Sequence, residues 1–410
     1  MRKVSLIVFL LLVALIPLNI GKHFLLPSSY VLGLSVDYLV PTLYLQDILA
    51  FILLPLGVLG AKRSINQRET QLMLLFLIAV FLSSLISLRF VSSFTSFVRL
   101  FLYAGVFFYT SAFFDFDKHS RTFFMVLGIS IASVSLLGIL QFLKQGAVFN
   151  NYLVFGEQPY AASIPGVVLE NVFGHTMVGA YGLFRHPNTF AGFLCVTLLL
   201  ILPFVKRFKF LSVPLVLGVV SLCLTFSYVS YTVFIVGLVF LLFIYCFSWP
   251  NNVARKLLAT FFMLFISYYS LFLPLLHNTT TPSLYRRENL LSAAYTIIKH
   301  NPLFGVGFNN FTAVVDHYYL QQIDYRFTQP VHNIFILIFA ESGVFAFILF
   351  MALTLVLAKQ LVYSNKKTFL VLPFLAVVVL GSFDHYLVTS QQGLLFLMLV
   401  FGLTSSRQFT

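Results

Sequence analysis

The chain has 410 residues, of which 60% are hydrophobic and only 9% charged, against about 25% charged in an ordinary soluble domain. That gap excludes a conventional globular core and makes a bilayer the expected solvent. The net charge of +13 would suit nucleic acid, but the basic residues are scattered between apolar runs, without a basic stripe or interleaved aromatics. No nucleic-acid partner is expected.

A hydropathy window of about 19 residues predicts spans at approximately 4–21, 40–60, 70–88, 95–114, 121–143, 188–205, 209–227, 229–248, 256–276, 333–357, 368–384 and 390–405. The expected fold class is therefore all-α: a polytopic helical membrane protein of about 12 transmembrane helices, with residues 1–410 forming a single integral membrane domain. The first segment has a basic start and an apolar run but no small-x-small cleavage site, so it is expected to be an uncleaved span. Residues 24–39 are apolar but broken, and are expected to be re-entrant or interfacial. Cys195, Cys223 and Cys246 fall inside apolar runs without metal-ligand spacing, and are expected to be buried and small.

Two loops stand out by length, 144–187 and 277–332, and both follow odd-numbered spans. With the N-terminus cytoplasmic, 16 of the 25 Lys and Arg residues fall on the inner side, including every short inner loop. The expected topology therefore places both termini in the cytoplasm and both long loops on the outer face. Within the second loop, Leu290, Leu291, Ala294, Ile297 and Ile298 share one helical face, which predicts an amphipathic surface helix ended by Pro302 and Gly305.

Arg185 sits just before the sixth span, with Pro187 suited to the first helical turn. A lone arginine there can be a headgroup anchor. A cation beside the positive end of a helix is nevertheless unfavourable unless an anion binds there. The pattern recurs in "TPSLYRRENLL", where Arg286 and Arg287 open the loop helix, and Arg287 precedes Leu290 and Leu291 on the inward face. Two such starts on one side of the membrane point to a shared polyanionic ligand. His332 and Asn333 open the tenth span, and His332 is the outer-face group best suited to take a proton near neutral pH. Glu341, out of phase with His332, is expected to support packing or a polar interior. Asp384 and His385 close the eleventh span and suit a polar acceptor. Asp115 and Asp117 lie on the opposite side and are read as a juxtamembrane acidic pair. No metal ligand set and no cofactor motif is found.

Three stretches in order, "GLFRHPNTFAGFL", "RRENLLSAAYTIIKHNPLFGVGFNNF" and "QPVHNIFILIFAESGVFAFIL", resemble the O-antigen ligase and O-antigen polymerase family of polytopic membrane glycosyltransferases. The resemblance covers roughly residues 130–405. It departs where the family often has Ser-Arg, since Tyr228 follows Ser227, and where a Trp often follows the loop arginine, since Leu291 stands there. The resemblance implies a metal-independent glycosyltransferase of the bacterial inner membrane, acting on its outer face in surface polysaccharide biosynthesis. Its donor would be an undecaprenyl-pyrophosphate-linked glycan, and its acceptor a glycan or lipid-linked hydroxyl. Arg185 and Arg287 would hold the pyrophosphate, the spacing to Pro302 favouring Arg287 over Arg286, and His332 would be the base. His186, Asn188, Arg286, Asn333 and Asp384 would bind substrate. The rival reading is a transporter or flippase for a lipid-linked or anionic substrate, which would place ionisable groups near the midplane.

Overall fold

The computed structural model describes residues 2–164, 166–246, 282–319 and 327–406. Among these, six helices are long and apolar enough to cross a membrane: Leu45–Arg63 (α2), Arg68–Leu85 (α3), Phe90–Ala112 (α4), Phe116–Lys144 (α5), Pro187–Phe204 (α6, its last turn 3₁₀) and Ile334–Tyr363 (α11). Shorter apolar helices are Arg2–Ala14 (α1), Ser212–Cys223 (α7), Tyr228–Cys246 (α8), Val371–Phe383 (α12) and Gln391–Ser405 (α14). Each lies on an expected apolar segment. The expected segment 256–276 lies outside the described residues. The loop helix is Pro282–His300 (α9), and two single-turn helices, Phe311–Val314 (α10) and Tyr386–Thr389 (α13), complete the set.

Cys195 is buried, but Cys223 is exposed at the end of α7, which corrects the reading of every cysteine as buried. An apolar solvent removes the penalty that would otherwise hide a thiol. Close helix approach follows from small residues. A Cβ on Gly57 of α2 would lie 2.6 Å from the Gly105 carbonyl of α4.

The described residues are mostly helical, as expected, with three short two-stranded sheets added. Gly21–His23 (β1) pairs with Thr42–Tyr44 (β4), Tyr30–Val31 (β2) with Leu34–Ser35 (β3), and Leu169–Val172 (β5) with His175–Val178 (β6). They lie between helices, where short segments must pair their own backbone groups. The last two turn through Leu32–Gly33 and Phe173–Gly174, both residues of each pair having positive φ, as tight hairpin turns of two residues require. Val31, Val36 and Leu39 pack with Leu290, Ala294 and Ile297 of α9 in a second apolar cluster separate from the helix bundle. The segment expected to be re-entrant or interfacial is thus a cap over the loop helix. In the first long loop, the Glu157 carboxylate is buried and accepts from the amides of Val148, Phe149 and Asn150 at 2.8, 2.6 and 3.1 Å.

α11 is not a continuous rod. Gly343 has φ 79 and ψ −179, and the break exposes helix carbonyls to the chain after α9. Val306 N donates to Ala340 O at 3.1 Å, Gly307 N to Glu341 O at 2.8 Å, and Val344 N to Pro302 O at 2.8 Å. The Glu341 carboxylate accepts from the amides of Asn309 at 2.9 Å and Phe311 at 3.0 Å. Its partners are therefore backbone donors at the start of α10, and not His332. A Cβ on Gly343 would stand 2.0 Å from the Leu303 carbonyl oxygen, at a φ that L side chains avoid. Gly343→Ala should destabilise the protein by more than about 1 kcal/mol, read as a lower melting temperature of the solubilised protein. An unchanged melting temperature would remove the clamp from this account.

Candidate active site

α6 starts at His186, whose extended backbone (φ −147, ψ 143) lets its Nδ1 accept from the Asn188 amide at 3.1 Å. Pro187 fills the first helical position. Arg185 stands exposed just before this cap and donates from Nη2 to the Tyr44 hydroxyl at 3.2 Å. Tyr44 is itself held. The Arg99 guanidinium carbon lies 5.0 Å from its ring centroid, and its amide donates to Asp47 Oδ2 at 3.0 Å. Arg99 is fixed by an ion pair with Asp47 at 3.3 Å and by the Thr42 carbonyl.

The second arginine arrives from α9. Arg287 donates from Nη1 to the Phe383 carbonyl at 3.2 Å, at the C-terminal end of α12, where a cation is favoured by the helix dipole. Arg286 donates to Gln329 Oε1 at 3.4 Å, with its guanidinium 5.6 Å from the Phe327 ring centroid. Neither Arg185 nor Arg287 is in an ion pair among the described residues.

Beside them lie His332, Asp384 and His385. The rings of His332 and His385 are 5.1 Å apart and inclined at 64°. His385 Nε2 is 3.9 Å from Asp384 Oδ1, and its Nδ1 pairs with Thr389 Oγ1 at 2.8 Å. The Tyr38 ring meets His385 edge-on at 5.5 Å. His186 lies within electrostatic reach of Asp384, Arg287 and Arg286, and Tyr38 within reach of both Asp384 and Arg185. Arg287 thus adjoins the cluster, and Arg185 is connected to it through His186, its neighbour in sequence, and through Tyr38.

The expected site residues fall into two groups. His332 and Asp384 belong to the cluster, Arg287, Arg286 and His186 adjoin it, and Arg185 precedes His186. Asn333 has a structural duty: its Oδ1 caps α11 by accepting from Phe335 N and Ile336 N, and its Nδ2 donates to Ser382 O at 3.0 Å. Asn188 contributes its amide to the cap of α6 and keeps its side chain half-buried. Tyr38 and Tyr44 were not anticipated, because the segment carrying them shows no period that would place it over the site. His385 was anticipated only as a polar neighbour of Asp384.

Burial lowers the His332 pKa to about 3 and that of His385 to about 4, with Arg287 adding to both effects. Burial alone would raise the Asp384 carboxyl, but His385, His332 and Arg287 outweigh it and hold it below its ordinary value. At neutral pH the cluster is thus an ionised carboxylate beside two neutral imidazoles. Among the described residues the buried Nδ1 of His332 has no hydrogen-bond partner, so there a lone pair or a proton is uncommitted.

His332, Asp384 and His385 could also hold a metal ion, since their ligand atoms lie within 4.8 Å of one another. The Arg287 charge beside His332, His385 and Asp384 opposes a cation there. Because the His332 pKa is lowered, its neutral form persists as pH falls, until about 3. Histidine-labelled protein followed by NMR should show no His332 protonation between pH 7 and about 5, where a free imidazole titrates near 6.5. A midpoint at or above 6 would contradict this electrostatic description.

Residues 213–351 match the family model described as O-antigen ligase. The matched segment, about a third of the chain, contains Arg286, Arg287, His332, Asn333 and Glu341. Asp384 and His385 of the cluster, and Arg185 and His186, lie outside that segment. No curated protein matches the chain.

Proposed function

We propose that the protein transfers a glycan from an undecaprenyl-pyrophosphate carrier to an acceptor hydroxyl, as an O-antigen ligase or polymerase type enzyme on the outer face of a bacterial inner membrane. The observation that carries the reading is a pair of arginines, neither in an ion pair among the described residues, one beside and one linked through His186 and Tyr38 to a buried cluster whose His332 Nδ1 has no partner among those residues. The match of 213–351 to the O-antigen ligase family model supports it independently. The excess of basic residues in the opposite loops supports the orientation.

In this mechanism Arg185 and Arg287 bind the pyrophosphate through their remaining N–H donors. The acceptor oxygen attacks the anomeric carbon. The bond from that carbon to the pyrophosphate oxygen breaks, and its electron pair stays on the leaving group. Preorganised guanidinium groups stabilise the charge that develops there. The acceptor proton passes to His332. Asp384 stabilises the imidazolium while it exists, which a neutral surrounding would not. Tyr44 keeps Arg185 aimed at the site, and Asn333 holds His332 at the mouth of α11.

Activity is measured with purified protein, a defined undecaprenyl-pyrophosphate glycan and candidate acceptors. Lengthened lipid-linked chains identify a polymerase, and a modified non-carrier acceptor a ligase. Arg185→Ala and Arg287→Ala should each lower turnover by about 10²–10³, and Arg286→Ala by less. Loss with Arg286→Ala and none with Arg287→Ala would reverse the assignment of the two arginines. His332→Gln should slow turnover ~10²–10⁴-fold while donor binding is retained. A chelator should leave the rate unchanged. Inhibition relieved by a divalent ion would instead make His332, Asp384 and His385 a metal centre.

A further inference from the structure

At the end of the bundle remote from the arginine cluster, a cavity of about 820 Å³ opens between the start of α3, the end of α11 and the end of α14. Its walls include Arg68, Lys359, Lys366 and Lys367, with Glu69 the only acidic residue among them. The formal charge of the lining is therefore four positive less one negative, or +3. Arg68, Lys359 and Lys366 are exposed, whereas Lys367 is buried at 3% exposure. Lys367 Nζ donates to Thr404 O at 2.7 Å and Gln360 Oε1 at 3.3 Å. Burial lowers its pKa to about 8, with Glu69 acting against the shift. An anion in the cavity would keep that amine charged.

α11 forms one wall of the cavity. Val356, Lys359, Gln360 and Tyr363 lie at i, i+3, i+4 and i+7, on one helix face. Seven residues of α-helix span about 10 Å, so this wall carries Val356 at one end, Lys359 and Gln360 one turn on, and Tyr363 at the other, ahead of Lys366 and Lys367. Such a wall suits an amphiphile whose phosphate meets the lysines and whose glycerol and first methylenes lie along the helix. The volume is within the ~300–1,000 Å³ of small-molecule sites, and a lone phosphate would occupy little of it. The cavity also lies at the end of the bundle where cations concentrate, with Lys62 and Arg63 closing α2, Lys118 in the first turn of α5, and Lys206 and Lys209 between α6 and α7. By the positive-inside bias that face meets the leaflet richest in anionic lipid.

We propose that this cavity binds the phosphate-bearing headgroup of an anionic phospholipid, in a site separate from the glycan-transfer centre and independent of that assignment. The test uses the delipidated full-length protein in detergent, with phosphatidylglycerol, phosphatidylcholine, glycerol phosphate or inorganic phosphate as probe. Thermal shift and native mass spectrometry are the readouts. Phosphatidylglycerol should raise the melting temperature and appear as a bound adduct, and the other three probes should do neither. Replacing Arg68, Lys359 and Lys366 together by Gln should weaken the phosphatidylglycerol effect by about tenfold or more. Replacing Lys206, Arg207 and Lys209 by Gln removes the same charge elsewhere on the face and should leave it intact. The three altered cavity residues are exposed, so the variant's unliganded melting temperature should match the wild type. Equal shifts in the two triple variants would overturn the site. A full shift from inorganic phosphate or glycerol phosphate would overturn its assignment to a lipid, and equal shifts from phosphatidylcholine its charge basis.

Discussion

The structure depends on how a carboxylate is accommodated inside an apolar helix. Glu341 is buried in α11, and no basic side chain donates to it. Backbone amides answer it instead: Asn309 and Phe311 donate to its two oxygens. Those amides can reach it only because α11 breaks at Gly343 and the loop after α9 runs along the broken turn. A buried ionisable group without such partners would cost several kcal/mol. One requirement thus fixes three things: the break, the loop that fills it, and the placement of α9 beside α11. The arginine carried by α9 and the histidine carried by the start of α11 are set against each other by this clamp, about which neither has any say.

The same logic governs the other end of the cluster. Arg185 stands where a helix start makes a cation unwelcome, and a chain of contacts through Tyr44 and Arg99 ends on the buried Asp47 carboxylate. Asp47 also accepts from Tyr103 at 2.6 Å, so the anchor is held by three residues from β4 and α4. Arg287 is settled differently, on a carbonyl at the end of α12. In both cases a neutral oxygen, and not a carboxylate, accepts from the guanidinium. A guanidinium has five N–H donors, and each arginine spends one of them on the protein.

The apolar runs were legible because membrane crossing demands about 20 apolar residues, and the resulting segments coincide with helices wherever residues are described. Arg185 and Arg287 were legible as misfits against helix polarity. What could not be read was the compensation, since Phe383 lies 96 residues from Arg287 and Tyr44 lies 141 from Arg185. The hairpins and turns of 21–44 escaped because strands of two or three residues leave no periodicity to detect. Asn333 shows the reverse difficulty. Its position beside His332 suggests substrate contact, yet its oxygen and nitrogen are both committed to backbone groups. A cap and a ligand-binding amide look alike in sequence and differ only in whether their hydrogen-bonding capacity is already used.

Asp384 explains why the cluster is not simply a basic anion trap. A site with three nearby arginines and no carboxylate would bind pyrophosphate tightly and also repel a proton from His332. With Asp384 ionised beside both imidazoles, the ground state keeps His332 neutral while a charge partner waits for the imidazolium. Phe383, the neighbour of Asp384, meanwhile takes Arg287 on its carbonyl, which keeps the guanidinium from collapsing onto the carboxylate. The end of α12 therefore separates two opposite charges that would otherwise neutralise each other. In the proposed mechanism one serves the leaving group and the other the proton.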